Sequence, residues 1–491
     1  MNMKHTPLII AAVLAAAVAS PGAWAQGRGA GAVPPPSTVV KNQSPIDLHL
    51  LAVRIPRAEE SKLANNIPVF LVADHRSPLV TVSVSVRGGT LFDPVGKPGV
   101  AELVANTVDE GAGGRDAEAI AVLLDKRGAS LGASAGAERT TVTLTCLAEN
   151  LPELMPLLSD VVRHPTFPRD RVARVRARAA EGATARQSDP NALASDALRA
   201  ALYGAQSPYG EAPATAAQVS AITPADLAMF HGKHFRPEGA IIGVAGDVSS
   251  VAVLVLLRGG FGDWVTAGGA GVPDTLPAAR LVTAAASPAP VIIDRPGSAQ
   301  TVLVFGVPGI ARTDPDYFPM LVANRIFGGG FNSRLNQKLR EEKGYTYGAR
   351  STLSAPKWTG TWEASASVRT PVTADAARDF VHEFERMLTT PPKTGELDLV
   401  KQSLIGGFAL TLESPEAVLA RNIERYDLGL PVDYWDTYAG HVAAVTPADV
   451  QRVSRHYFSV GTGTPTQTPR VWAVAVGEKG AIASGVTAAV K

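Results

Sequence analysis

Leu103-Val104-Ala105-Asn106 in the first half of the chain recurs as Leu321-Val322-Ala323-Asn324 in the second. Thr223-Pro224-Ala225-Asp226 recurs as Thr446-Pro447-Ala448-Asp449 at nearly the same offset. A histidine–aromatic pair follows each, His234-Phe235 and His456-Tyr457. Any one such match arises easily by chance. Their shared order and spacing point to an internal duplication, in which each copy is one folding unit of the same type.

The pattern around the repeats sets the fold class. Val80, Val82, Val84 and Val86 alternate with Thr81, Ser83 and Ser85, the period of a half-buried strand. Further strands are expected over 69–73, 140–147 and 240–245, and in the second copy over 291–294, 301–307 and 471–476. Helices are expected over 99–108, 169–186, 318–326 and 332–340. Thr223 and Thr446 read as helix N-caps, each followed by Pro at the first helical position. Strands and helices in separate runs, with hairpin-like strand pairs, indicate an α+β fold. It is expected as two homologous α/β halves, each a mixed, largely antiparallel sheet covered by helices.

The chain has 491 residues, enough for roughly two to four domains. Apolar residues make up 46% and charged residues 19%, the balance of a packed globular protein. The net charge of +1 supplies no global basic field for nucleic acid. A single cysteine excludes an intramolecular disulfide framework and a Cys-rich zinc module. Cys146 falls on the apolar face of the 140–147 strand and is expected to be a buried structural thiol.

Residues 1–25 read as a secretory signal peptide. Lys4 and His5 precede an apolar run from Leu8 to Ala19, and Ala23-Trp24-Ala25 forms a small-x-small cleavage site. The run is shorter than the about 20 residues a spanning helix needs, and no later stretch spans a membrane. The expected location is the periplasm. A Gly/Pro-rich leader over 26–45 and a linker over 263–290 then bound two domains, 46–262 and 291–480.

A family resemblance rests on Arg87-Gly88-Gly89, the helix after Gly99, Ser207-Pro208-Tyr209-Gly210, Gly246-Asp247-Val248, and the segment from Ser333-Arg334-Leu335 to Tyr347. With these the chain resembles the pitrilysin/insulinase-like zinc metallopeptidases over about residues 46–480. The resemblance implies two halves facing each other around a substrate chamber. It also implies an H-x-x-E-H helix in active members, whose two histidines share one helical face and hold zinc while the glutamate activates water. Here the matching positions hold Glu102, Ala105 and Asn106, so both histidines and the base are absent. Glu181, on the Arg-rich helix, is matched to the third zinc ligand. None of the nine histidines lies in H-x-x-E-H or H-E-x-x-H. His231 and His234 have the spacing of a helical ligand pair, but no acidic partner accompanies them.

The second half differs. Active relatives carry an Arg and a Tyr that orient peptide and donate to the scissile carbonyl, and Arg340 and Tyr347 match them. Some members of the family work as two-chain assemblies, in which one chain supplies the zinc motif and the other the Arg/Tyr pair. The resemblance therefore implies an exported, non-catalytic subunit that holds no cofactor of its own. Its expected partners are a zinc-bearing homologous subunit and a peptide substrate. One rival is a stand-alone peptide-binding or structural homologue. The other is an active metallopeptidase with an unusual oxygen-donor site at Glu102, Asn106 and Glu181, a set suited to Ca²⁺ or Mg²⁺ rather than Zn²⁺.

Overall fold

The computed structural model describes residues 53–204, 207–265, 289–458 and 471–490. The expected signal segment, the leader and most of the expected linker lie outside the described residues. In the first half, strands β1 (Glu59–Lys62), β2 (Pro68–Ala73) and β3 (Leu79–Arg87) precede a two-residue hairpin of β4 (Gly111–Ala112) and β5 (Arg115–Asp116). They are followed by β6 (Ser130–Ala135), β7 (Arg139–Leu147) and β8 (Ile241–Gly246). The second half contributes β9 (Val291–Asp294), β10 (Gln300–Pro308), β11 (Ala349–Leu353), β12 (Thr361–Arg369) and β13 (Trp472–Gly477).

Two large sheets result, in the orders β1-β2-β8-β3-β7-β6 and β11-β12-β10-β13-β9. Each is antiparallel apart from one parallel pair, β2 with β8 and β13 with β9. The expected mixed, largely antiparallel α+β halves are therefore present. Both duplicated Thr-Pro-Ala-Asp motifs form capping boxes. Thr223 N–H donates to Asp226 Oδ2 at 2.9 Å, and Thr446 N–H donates to Asp449 Oδ2 at 2.9 Å. This reciprocal bonding satisfies donors that every helix start leaves open.

One face of each sheet packs on its own half. Val80, Val82, Val84 and Val86 meet Leu103, Leu154 and Leu158 in one core, while Leu303, Phe305 and Val307 meet Phe380 and Phe384 in the other. The opposite faces are covered across the duplication. The first-half helix Pro190–Tyr203 lays Ala194, Leu198 and Leu202 on Val302, Val304, Val474 and Val476 of the second sheet. The second-half helix Pro415–Asp427 lays Leu419 on Phe70, Ile241 and Ala245 of the first.

Each sheet makes room with a glycine. A Cβ on Gly306 would lie 2.6 Å from Leu198 Cδ2, and one on Gly243 would lie 2.7 Å from Ile423 Cδ1. Arg139 Nη1 reaches Asp427 Oδ1 at 2.9 Å, with both side chains nearly buried, and Asn422 Oδ1 accepts from Ala58 N at 3.3 Å. The Tyr203 hydroxyl ends the first-half helix on the Gly360 carbonyl of the second. The two halves thus form one unit within His49–Lys491.

Two helices differ from the sequence expectation. The helix expected over 99–108 is Val100–Ala105, and the Thr107 hydroxyl past its end donates to Leu103 O at 2.5 Å. The helix expected over 332–340 is a short turn, Arg334–Asn336, that widens into a π-helix, Gln337–Glu342. There Lys343 N–H donates to Lys338 O at 3.2 Å, five residues back.

The exchanged helices make the halves one cooperative unit. Leu198→Ala removes a fully buried side chain and should cost about 2–5 kcal/mol of stability. In denaturant, Trp264 of the first core and Trp435 of the second should report the same midpoint in wild type and variant. Two separated transitions would show that the halves are independent.

Candidate functional site

The degenerate motif sits beside a cavity of about 880 Å³ between the halves. Asp93 sets the start of its helix, accepting from Gly99 N–H and from Ala101 N–H at 2.7 Å each. Burial pushes the Asp93 carboxyl up to about 7. The two N–H donors act against that shift, and Glu102 and Glu211 add to it. From this cap, Glu102 and Asn106 project into the cavity, whereas Ala105 is buried at 3% exposure and is not part of the wall.

The Arg-rich helix, Arg169–Ser188, forms another wall through Ala179, Gly182, Ala183 and Arg186. That spacing is a single helical stripe. Glu181, the expected third-ligand counterpart, falls off the stripe and is exposed on the helix, so the structure does not bring it to Glu102 and Asn106. At 3.6 residues per turn, a residue midway between Ala179 and Ala183 faces roughly the opposite side. Gly182 is the position that faces the cavity, and a Cβ there would meet nothing within 4 Å.

Among the described residues, no group of three or more His, Cys, Asp or Glu side chains is arranged to hold a metal ion. Zinc favours imidazole, thiolate and carboxylate in tetrahedral sets, and Glu102, Asn106 and Gly182 do not supply one. The residues at the family's zinc position therefore do not fit zinc. His231 and His234 are core residues. Their ring nitrogens lie 2.9 Å from Val162 O and 3.1 Å from Arg87 O, and burial pulls both down to about 4. Cys146 is buried, and desolvation pushes its thiol up to about 11, which keeps it protonated and unreactive.

The second half closes the cavity with Thr352, Ser354, Thr361 and Glu363 from the β11–β12 hairpin. Burial raises Glu363, with Arg199 and Arg350 opposing. The duplicated counterpart of Asn106 is Asn324, and it has become internal scaffold. Its Oδ1 accepts from Trp362 Nε1 at 2.8 Å and from Ser351 Oγ at 2.7 Å.

Arg340 and Tyr347 stand elsewhere. Neither lines the cavity with Glu102 and Asn106. Arg340 leaves the π-helix with its Nε 3.2 Å from Glu341 Oε1. Tyr347 is 94% exposed, just before β11. Its segment is held in a turn in which Gly348 N–H donates to Thr346 Oγ1 at 3.2 Å. Within one chain, then, the two sets of expected site residues do not meet. Asp93 and Glu363 escaped the sequence reading, because each is an ordinary acid in sequence and becomes notable only by burial in the cavity wall.

Comparison with known proteins agrees with this site. Residues 68–210 match the family model described as insulinase (peptidase family M16), and residues 221–404 match the peptidase M16 inactive domain. An uncharacterised zinc protease of Mycobacterium bovis is 27% identical over 410 residues, covering 82% of this chain and 90% of the relative. A non-peptidase homologue of Helicobacter pylori is 24% identical over 396 residues, covering 78% and 87%. The crystal structure of a peptidase M16 inactive domain from Pseudomonas fluorescens superposes with a TM-score of 0.75 at 26% identity, covering 86% of this chain and 98% of that one. With the histidines and base of H-x-x-E-H replaced by Glu102, Ala105 and Asn106, the chain belongs to the M16 pitrilysin-like peptidase family as a member that lacks the zinc motif.

Proposed function

We propose that this protein is an exported, non-catalytic subunit that supplies Arg340 and Tyr347 to a zinc-bearing homologous chain, and that the pair hydrolyses peptides. The observation that carries the reading is an asymmetry. The position where the family binds zinc has no zinc set, while the residues matched to the peptide-orienting pair, Arg340 and Tyr347, are both present and Tyr347 is 94% exposed. Export is supported by the apolar run from Leu8 to Ala19 and the Ala23-Trp24-Ala25 site before Gln26. No described helix is long and apolar enough to cross a membrane.

In the assembled pair, metal chemistry belongs to the partner. This chain contributes donors. The Arg340 guanidinium donates to a substrate backbone carbonyl and fixes the peptide's register, a charge-assisted bond that is stronger than a neutral one. The Tyr347 hydroxyl donates to the scissile carbonyl oxygen as negative charge grows on it. Such a donor is useful only if it reaches the partner's reacting atoms, which accords with its position outside this chain's own cavity.

Two experiments test the reading. In the co-expressed complex, Tyr347→Phe should lower peptide turnover by about 10²–10³-fold, the usual loss for one oxyanion donor, without changing assembly by light scattering. Arg340→Ala should raise KM as well. Wild-type turnover in a complex carrying both changes would rule out the complementing role and leave the peptide-binding or structural reading.

The second experiment concerns metal. The wild-type chain alone should retain well under one zinc per molecule after dialysis. Glu102→His with Asn106→His should still bind zinc weakly, because Glu181 lies off the cavity stripe. Adding Gly182→Glu, for which there is open space, should produce stoichiometric uptake through two imidazoles and a carboxylate. Full uptake by the double variant would mean that Glu181 can reach the site after all.

A further inference from the structure

We propose that Phe331 is a positioning residue for Arg340, holding its guanidinium over an aromatic face in the orientation that meets a peptide. The inference rests on the reading given under Proposed function. The Arg340 guanidinium carbon lies 4.8 Å from the centre of the Phe331 ring. Phe331 is 62% exposed, so core packing does not account for an aromatic side chain at this place. The ring offers its negative face to a cation whose Nε lies 3.2 Å from the Glu341 carboxylate on the adjacent residue.

The loop that carries Phe331 is itself tied to the strand after Tyr347. Asn336, 3% exposed, donates from Nδ2 to Phe331 O at 2.7 Å and accepts at Oδ1 from Ala349 N–H at 3.1 Å. One buried amide thus joins the Phe331 loop to the first residue of β11, two positions beyond Tyr347. Phe331 and Arg340 are thus paired, and the Phe331 loop is tied to the strand after Tyr347, before any peptide or partner arrives; preorganised donors lose less on binding.

The test has two readouts. In the isolated chain, the Arg340 Nε–Hε resonance should be shifted by the Phe331 ring current. Phe331→Leu should abolish that shift and Phe331→Trp should retain one. In the assembled complex, Phe331→Leu should raise KM by about two- to five-fold, the factor expected of an exposed cation–π contact, with kcat nearly unchanged. Phe331→Trp should restore KM. An Arg340 resonance that is identical in wild type and Phe331→Leu overturns the inference whatever the protein's function. So does an unchanged KM in Phe331→Leu when Arg340→Ala raises it. If neither substitution alters KM while the ring-current shift is present, the complementing function itself fails, and the positioning role falls with it.

Discussion

Each half of this protein covers a sheet face that belongs to the other. Helix Pro190–Tyr203 closes the second sheet and helix Pro415–Asp427 closes the first, with Gly306 and Gly243 letting Leu198, Leu419 and Ile423 approach the strands. Without the exchange, Val302, Val304, Val474 and Val476 would face water. At about 25 cal/mol per Å² of apolar area, such a face decides whether a sheet is stable. The same exchange sets the cavity. It brings the Arg-rich helix, which runs directly into Pro190–Tyr203, and the β11–β12 hairpin to opposite walls of one space.

Given that frame, the loss of zinc ligands leaves the architecture intact. Asp93 still caps the short helix and Glu102 and Asn106 still face the cavity, but no zinc-ligand set stands there among the described residues. The Glu102 carboxylate and the Asn106 amide beside a buried Asp93 form no imidazole-rich set. The duplicated position, Asn324, shows a second fate for the same residue, where a buried amide braces Trp362 and Ser351. Arg340 and Tyr347 stand outside this cavity, and Tyr347 is almost wholly exposed. A tyrosine that is almost wholly exposed contributes little to stability, which leaves it free for the outward role proposed above.

Much of the fold was readable from residues. The alternating valines of β3, the two Thr-Pro capping boxes and the repeated Leu-Val-Ala-Asn motif indicated paired α+β halves. The helix exchange was not readable. Amphipathic periodicity says that a face is buried, not which sheet buries it, and β3's Thr and Ser face reads as solvent-facing although part of its sheet lies under a helix of the other half. Glu181 stands off the cavity stripe for a related reason. Sequence distance to a motif carries an uncertainty of one residue, and one residue on a helix is 100° of rotation. Phe331 had no sequence signal at all, because its significance is a contact with a side chain nine positions away across a loop and a π-turn.

The central claim is that this chain completes another chain's peptidase site and has none of its own. The most direct measurement is zinc content and EDTA-sensitive peptide hydrolysis of the purified chain, alone and mixed with a zinc-motif homologue from the same cell. The account predicts no zinc and no turnover for the chain alone, and turnover above that of the homologue alone once the two form a complex. Zinc-dependent turnover by the isolated chain, at one metal per molecule, would contradict it.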